Sequence, residues 1–375
     1  MFAFARTQEE ADLEHQLNNT ILEQLDHFDF SALDEMIESL NFQFNSPFSS
    51  GSFKDKVQEI IAGEFSNGYS SVFEAILALV LSNVISFLPL FAILICIGVL
   101  SSFISNLSPN IKNKSISDVI HFVCYSIIIV LVFSAVARLI TTTSETLANI
   151  KTQMDLIFPV LLTIMTALGA TAAASVYQPA VAIFSSAIVQ LFSSIIMPLF
   201  IFTLVFNVVG NLSSNMQLKK FHEFFHSSFK WLVGTTFTVF TAFLSIQGIT
   251  AGSLDKVSLR TAKFAIKSYI PIIGGYLSDG FNVIMASGVL IKNAVGLAGL
   301  FIMFFTILMP LVELFVLKLG LNLTAAVLEP IVDKRMSNFI MAVSKSLIML
   351  LTTILAIAFM YFIMIGLIVS TANLV

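Results

Sequence analysis

Apolar and polar positions along this chain alternate in long blocks. Beyond residue 75, apolar runs recur near 76–104, 118–139, 156–176, 181–210, 231–251, 295–319 and 338–370, separated by polar stretches that carry most of the charge. About 20 apolar residues cross a bilayer as helix, and these runs lack the period-two alternation of a barrel strand. The pattern therefore predicts an all-α, polytopic integral membrane protein. A further run, 281–291, is too short to cross alone. It predicts a re-entrant or interfacial element, or one bent crossing together with 269–276, so the count is seven or eight.

Between 245 and 300 the apolar sequence is interrupted by glycines, prolines and charges: SIQGITAG, SLDKVSLRTAKFAIKSY, IPIIGGYLSDGF and LIKNAVGLAGL. Broken backbone survives at membrane depth only when it is buried in protein or lines a cavity. Broken helices that form a conduit or a docking groove are expected here.

Residues 1–70 have a different texture and are read as an extramembrane helical head with its linker, ahead of a membrane domain over 71–375. Leu13, Leu17, Ile21, Leu25 and Phe28 recur at helical spacing, and Ser31 before Asp34 reads as the N-cap of a second short helix. Packing on its own neighbours is the plain reading of this stripe, a partner-binding face the other. NSPFSSGS, 45–52, is a turn-forming linker. Phe53, Val57, Ile60, Ile61 and Phe65 then predict an amphipathic helix leading to the bilayer. The stretch at Met1 has no n-region and h-region of a secretory signal, so such a segment was never there or has been removed.

Composition agrees with the pattern: 57% of residues are hydrophobic and 11% charged, against roughly 45–50% and 25% in soluble domains. The net charge of −4 conceals an asymmetry. Residues 1–64 hold three cations against thirteen carboxylates, and the remainder sixteen cations against ten carboxylates. An acidic head is repelled by anionic lipid and by nucleic acid, which leaves water or another protein as its partner. Three cationic loops compete for the cytoplasmic side: Lys112/Lys114, Lys219/Lys220/Lys230, and Lys256/Arg260/Lys263/Lys267. The last two flank one span. The third places its cations at i, i+4, i+7 and i+11, on one helical face, which favours an interfacial amphipathic helix. With the head outside, Lys112 and Lys114 fall in the cytoplasm.

Sliding the chain by 151 residues aligns Pro159, Gly169, Ala174, Val176 and Pro179 with Pro310, Gly320, Ala325, Val327 and Pro330, and sets Gln178 opposite Glu329. The frame P-x9-G-x9-P predicts an internal repeat over 156–210 and 307–361, each copy with a small-residue break. Seven crossings invert the copies and eight do not.

No motif for nucleotide binding, metalloprotease or hydrolase chemistry is present, and nothing in the sequence calls for a metal or cofactor. Cys96 and Cys124 lie inside apolar runs and read as core residues, and His222 with His226 at i, i+4 as an interfacial face. Charges near membrane depth carry more information, because each costs several kcal/mol unless paired or hydrated. Arg138 and Lys292 are either interface anchors or functional groups. Glu313, three residues after Pro310, is a structural partner of a lysine or part of a polar path. Asp279 lies in a glycine-flanked break or a plain turn. Gly296 and Gly299, with Ala294 and Ala298, permit close helix packing.

SIQGITAG (245–252), VSLRTAKFA (257–265), YIPIIGG (269–275), LIKNAVGLAGL (290–300) and TAAVLEP (324–330), with SVYQPAV (175–181) upstream, resemble the stage III sporulation protein AE family in order and spacing. The resemblance covers the membrane body from about 76 onward. It departs from the family at the start, where a secretory signal is expected, and at Lys256, where a small residue usually stands. It implies a non-enzymatic, multi-span component of the complex linking mother cell and forespore, in the mother-cell membrane around the forespore. The implied partners are the other stage III A proteins and, across the intermembrane space, the AG and AH rings and the stage II Q protein. Residues expected to serve the channel or its assembly are Gln178, Pro179, Gln247, Arg260, Lys263, Pro271, Gly274, Asp279, Lys292, Asn293, Glu313, Glu329 and Pro330. A self-sufficient secondary transporter and a scaffold for small membrane partners are the alternatives.

Overall fold

A computed structural model describes residues 8–40, 51–63, 69–107, 114–212, 218–269 and 274–371, and every regular element in them is a helix. Three short helices form the head: α1 (Gln8–Asp26), α2 (Ser31–Ser39) and α3 (Phe53–Ala62). Helix α2 begins at Ser31 itself, whose N–H donates to Asp29 Oδ1 at 3.0 Å, so Asp29 does the work expected of Ser31. Helix α3 opens on a capping box. Asp55 N–H donates to Ser52 Oγ at 3.2 Å, and Ser52 N–H donates to Asp55 Oδ2 at 2.9 Å. Of the predicted stripe, Ile21 and Leu25 are buried, as are Phe53 and Val57 of α3. They join the same core as the membrane body, because α1 and α3 pack on α10 and α2 on α5. Most of the linker 45–52 lies outside the described residues.

The body consists of α4 (Tyr69–Leu107), α5 (Lys114–Ala167), the composite helix α6 (Thr171–Ala182), α7 (Val189–Leu191) and α8 (Met197–Leu212), then α9 (Lys219–Tyr269), α10 (Gly274–Leu328) and α11 (Lys334–Ser370). Six stretches among the described residues are long and apolar enough to cross a membrane: Ile76–Ile104, Phe122–Ala167, Thr171–Gly210, Lys220–Gln247, Val283–Leu328 and Lys334–Ser370. The chain is thus an all-α, multi-pass protein, and its described residues hold six such helices. The predicted spans 118–139 and 156–176 are largely merged in α5, which covers roughly 80 Å at ~1.5 Å per residue. The polar stretch between them contains no glycine or proline. Its Thr141, Thr142, Ser144 and Thr152 hydroxyls donate to carbonyls four residues back, so the polarity is absorbed without ending the helix.

Contacts fix an up-and-down bundle. Helices α10 and α11 are antiparallel, with Ser344 Oγ donating to Lys318 O at 2.8 Å and Ser337 Oγ to Ala325 O at 3.1 Å. Helix α5 is antiparallel to α10, matching Arg138 to Glu313, Gln153 to Thr306 and Leu168 to Gly288. Phe91 against Gly320 and Gly98 against Leu328 set α4 parallel to α10. The C-termini of α4, α8 and α10 and the turn 329–333 therefore lie at one end, and the head, the turn at Gly169 and the start of α10 at the other.

The region 245–300 differs from its sequence reading. Helices α9 and α10 run unbroken over Lys219–Tyr269 and Gly274–Leu328, with 270–273 outside the described residues, and the re-entrant 281–291 is part of α10. The cationic stretch 256–267 continues α9 instead of forming a separate interfacial helix. The α10 glycines with described surroundings serve packing: a Cβ on Gly288 would lie 2.4 Å from Leu168, on Gly296 2.3 Å from Val369, and on Gly320 1.9 Å from Phe91. Such contacts let backbones approach where a side chain would hold them apart. Irregular backbone instead occurs in the third apolar helix. Gly169 turns the chain at φ +78°, and π-helical turns occupy Ile183–Ile188 and Phe192–Ile196.

The shared P-x9-G-x9-P frame falls on unlike local structure. Gly169 makes a turn, whereas Gly320 is mid-helix and the second hairpin turns at 329–333, about ten positions later in the frame. The two hairpins, α5 with α6–α8 and α10 with α11, do run in opposite directions, the relation expected of inverted copies.

Candidate functional site

Glu313 is almost wholly buried, with 4% of its side chain exposed, and its Oε1 accepts from Arg138 Nη2 of α5. The Arg138 guanidinium lies 5.4 Å over the Phe87 ring of α4 and is 58% exposed. Three helices are tied here by an ion pair and a cation–π contact. The lysine partner expected for Glu313 is thus replaced by Arg138, and one of the two charges faces outward.

From that point the outward face of α5 changes character. Up to Val130 it exposes Val119, Phe122, Val123 and Ile127. From Arg138 onward the exposed positions include Thr141, Glu145, Asn149, Thr152, Asp155, Thr163 and Thr166, spaced three or four apart on one face. Lys151 Nζ bonds Asp155 Oδ2 at 3.0 Å. By the α5–α10 and α10–α11 registers, this polar face is level with 294–312 of α10 and much of 346–370 of α11, both free of charge. There the exposed side chains of α10 and α11 are mostly apolar, Phe304, Leu355, Phe359 and Phe362 among them, and the exposed Thr352 hydroxyl is bonded back to Ile348 O. The polar face continues into a cleft of about 570 Å³ between α5 and α6, whose lining includes Asp155, Thr166, Ser175, Gln178 and Ser185. The first π-turn opens onto it. Acyl chains are a poor solvent for such a face, since an exposed carboxylate in hydrocarbon costs a few kcal/mol.

Lys292 is fully buried and its ammonium donates to the Thr371 carbonyl at the C-terminus of α11. A cation is favoured there by the helix dipole. The Thr371 hydroxyl donates to Leu367 O at 2.7 Å and accepts from Tyr177 of α6 at 2.9 Å, so α6, α10 and α11 are knotted at the head end. Lys292 is a fastening inside the bundle, not an interface anchor. Next to it the Asn293 Oδ1, and on α9 the Gln247 Oε1, are buried without a hydrogen-bond partner among the described residues.

The remaining predicted positions are dispersed. Gln178 and Pro179 are exposed on α6, and Gln178 lines the cleft. Glu329 and Pro330 are exposed in the α10–α11 turn. Along α10, Lys292 and Glu313 are about 31 Å apart, and Glu329 lies about 24 Å further. Arg260 and Lys263 fall on α9, and Gly274 and Asp279 on α10, but their side chains are outside the described set; Pro271 is outside it altogether. No single centre gathers these residues. The α5 face was missed because 138–155 reads as a loop between two spans, although the spacing of its polar residues already fits one helical face.

The model of the family described as stage III sporulation protein AE matches residues 51–372. The chain is 22% identical over 285 residues, 76% of its length and 71% of the relative's, to a Bacillus subtilis (strain 168) protein named stage III sporulation protein AE. No solved structure matches. The family match takes in α3 and every helix of the body, the α5 face and the buried Arg138–Glu313 and Lys292 fastenings among them, and on that extent the chain belongs to the stage III sporulation protein AE family.

Proposed function

We propose that this protein is a non-enzymatic membrane platform or gate of the stage III A complex linking mother cell and forespore, acting in the mother-cell membrane that surrounds the forespore. The observation that carries the reading is the polar outward face of α5, which exposes Arg138, Glu145 and Asp155 where the facing stretches 294–312 of α10 and 346–370 of α11 hold no charge. A lone anchor has no use for such a face. A subunit that contributes one wall of a hydrated passage, completed by other stage III A chains, does. The acidic head is placed toward the intermembrane space, where the AG and AH rings and the stage II Q protein are its proposed partners. The transporter alternative rests on the internal repeat and on Asp279 and Glu313, and pairing of Glu313 with Arg138 counts against a freely exchanging carboxylate there.

The test replaces Cys96 and Cys124 with serine and introduces Asn149→Cys, Thr152→Cys, Leu355→Cys or Phe359→Cys singly. In sporulating cells, the first two react with a membrane-impermeant thiol reagent or cross-link to another stage III A protein, and the last two do neither. Equal silence at all four positions makes the α5 face a lipid contact and overturns the reading. Substrate flux through liposomes holding this chain alone supports the transporter instead.

A further inference from the structure

At the end opposite the head, α8, α9, α10 and α11 enclose a cavity of about 660 Å³ that the passage described above does not use. Its lining brings together Lys230, Lys318 and Lys345 with His222 and His226, and includes no carboxylate. Among the described residues none of the three lysines forms an ion pair. Glu223, one position along α9 from His222, is exposed and outside the lining.

The rest of the wall is arranged to donate. His222 Nδ1 donates to the Thr203 carbonyl at 3.2 Å, which fixes the tautomer and leaves Nε2 uncommitted. The two imidazoles stack with centroids 5.7 Å apart. The Ser344 Oγ proton goes to Lys318 O at 2.8 Å, so the Asn322 amide 3.1 Å from that hydroxyl meets it through one N–H and keeps its second N–H for another acceptor. Asn207 is fixed across the helices by bonds from its Nδ2 to Ala342 O and Ser346 Oγ, each 3.1 Å. Three ammonium groups around one cavity repel each other unless an anion sits among them, and the spare Asn322 amide N–H offers that anion a donor. This end also carries Lys219, Lys220, Lys334 and Arg335 beside its turns, with Lys114 at the start of α5, and in the proposed orientation, with the head in the intermembrane space, it is the cytoplasmic side. Basic pockets between membrane helices on that side suit phosphate headgroups.

We propose that this cavity binds a phosphate-bearing anion, held by Lys230, Lys318 and Lys345 and oriented by His222 and Asn322. The same chemistry is offered by an anionic phospholipid headgroup entering between the helices and by soluble phosphate entering from the aqueous end. The full chain is purified and placed in phosphatidylcholine nanodiscs with or without 20 mole per cent phosphatidylglycerol (an amount of order tens of per cent, chosen to populate basic lipid sites), and thermal unfolding is recorded with and without inorganic phosphate. Native mass spectrometry counts retained lipid. Stabilisation by phosphatidylglycerol alone identifies the lipid source, and stabilisation by inorganic phosphate in phosphatidylcholine alone identifies the soluble one. In either case Lys318→Gln with Lys345→Gln abolishes the shift and cuts retention at least about fivefold, whereas Lys318→Arg with Lys345→Arg keeps both. Lys151→Gln, on the far side of the bundle, serves as the charge control. Failure of both probes to stabilise the wild type, or an equal loss in the Lys151 variant, overturns the proposal. Because Lys345 is exposed, Lys345→Gln alone tests the site even if the double variant folds poorly.

Discussion

Replacing Arg138 with glutamine strands a carboxylate whose side chain is 4% exposed, whereas replacing Glu313 with glutamine releases a guanidinium that is 58% exposed and already rests over Phe87. The two changes remove the same ion pair but leave different residues behind. Removing one partner of a buried pair costs about 3–5 kcal/mol when the survivor cannot be solvated. We therefore expect Arg138→Gln to lose about 3 kcal/mol, roughly a hundredfold in the folded population. Glu313→Gln keeps a hydrogen-bonding amide and frees a group that reaches polar surroundings, so about 1 kcal/mol is expected. The double variant, with two neutral amides, should resemble Glu313→Gln, giving a coupling energy of about 2–3 kcal/mol, well above the few tenths expected of independent sites. Equilibrium unfolding in mild detergent, followed by helix signal and by protection of an engineered cysteine on α10, measures all three. Equal losses for the two single variants, or additivity in the double, would refute the reasoning, because either means that the burial difference is not what sets the cost.

Gly320→Ala places a methyl 1.9 Å from the Phe91 ring and should cost about 1–3 kcal/mol, with recovery in Phe91→Ala; thermal melts of both variants decide it. Gly169→Ala forces a side chain onto a backbone at φ +78° and should cost about 1–2 kcal/mol, read as earlier loss of the α5–α6 contact in hydrogen exchange. In the head, hydrogen bonds from the side chain and backbone of Ser31 hold the Asp29 carboxyl below its ordinary 3.8, and those from the backbone and side chain of Ser52 do the same for Asp55. Their contribution is complete above that value and disappears as pH falls through the lower folded-state values, so head proteolysis should rise only below about pH 3.8. Arg260→Ala with Lys263→Ala, on one face of α9 by spacing, should lower recovery of the stage III A complex and spore yield; normal values for both would make that face a lipid contact.

Helix content, membrane class and the family were legible in the sequence because each rests on long patterns: blocks of twenty apolar residues and ordered motifs from SVYQPAV to TAAVLEP. The number of crossings was not, because α5 carries a polar middle whose cost is met sideways, by hydroxyl-to-carbonyl bonds and by the Glu313 partner on α10, and neither is visible along one stretch of chain. Glycine proved ambiguous for the same reason. A glycine that breaks a helix and one that admits a neighbour look alike in sequence, and only the packing tells them apart: a Cβ on Gly296 would lie 2.3 Å from Val369. Lys292 stands out in the sequence as a charge near membrane depth, but its partner lies 79 positions away at the end of α11, beyond the reach of local spacing.

The parallel pairing of α4 with α10 has a consequence for the lipid around the protein. Phe91, at the middle of the apolar run 76–104, faces Gly320, whereas the middle of 346–370 on α11 faces a level near Phe305. The greasy girdle is thus stepped by about fifteen residues, roughly 22 Å, between one flank and the other. A flat slab of hydrocarbon cannot wet both flanks unless the whole molecule leans or the leaflets ramp locally. The hydrophilic half of α5 lies at that step, so the boundary between oil and water is drawn across the side of this protein as a slope, and the slope marks where a neighbour can approach without displacing lipid.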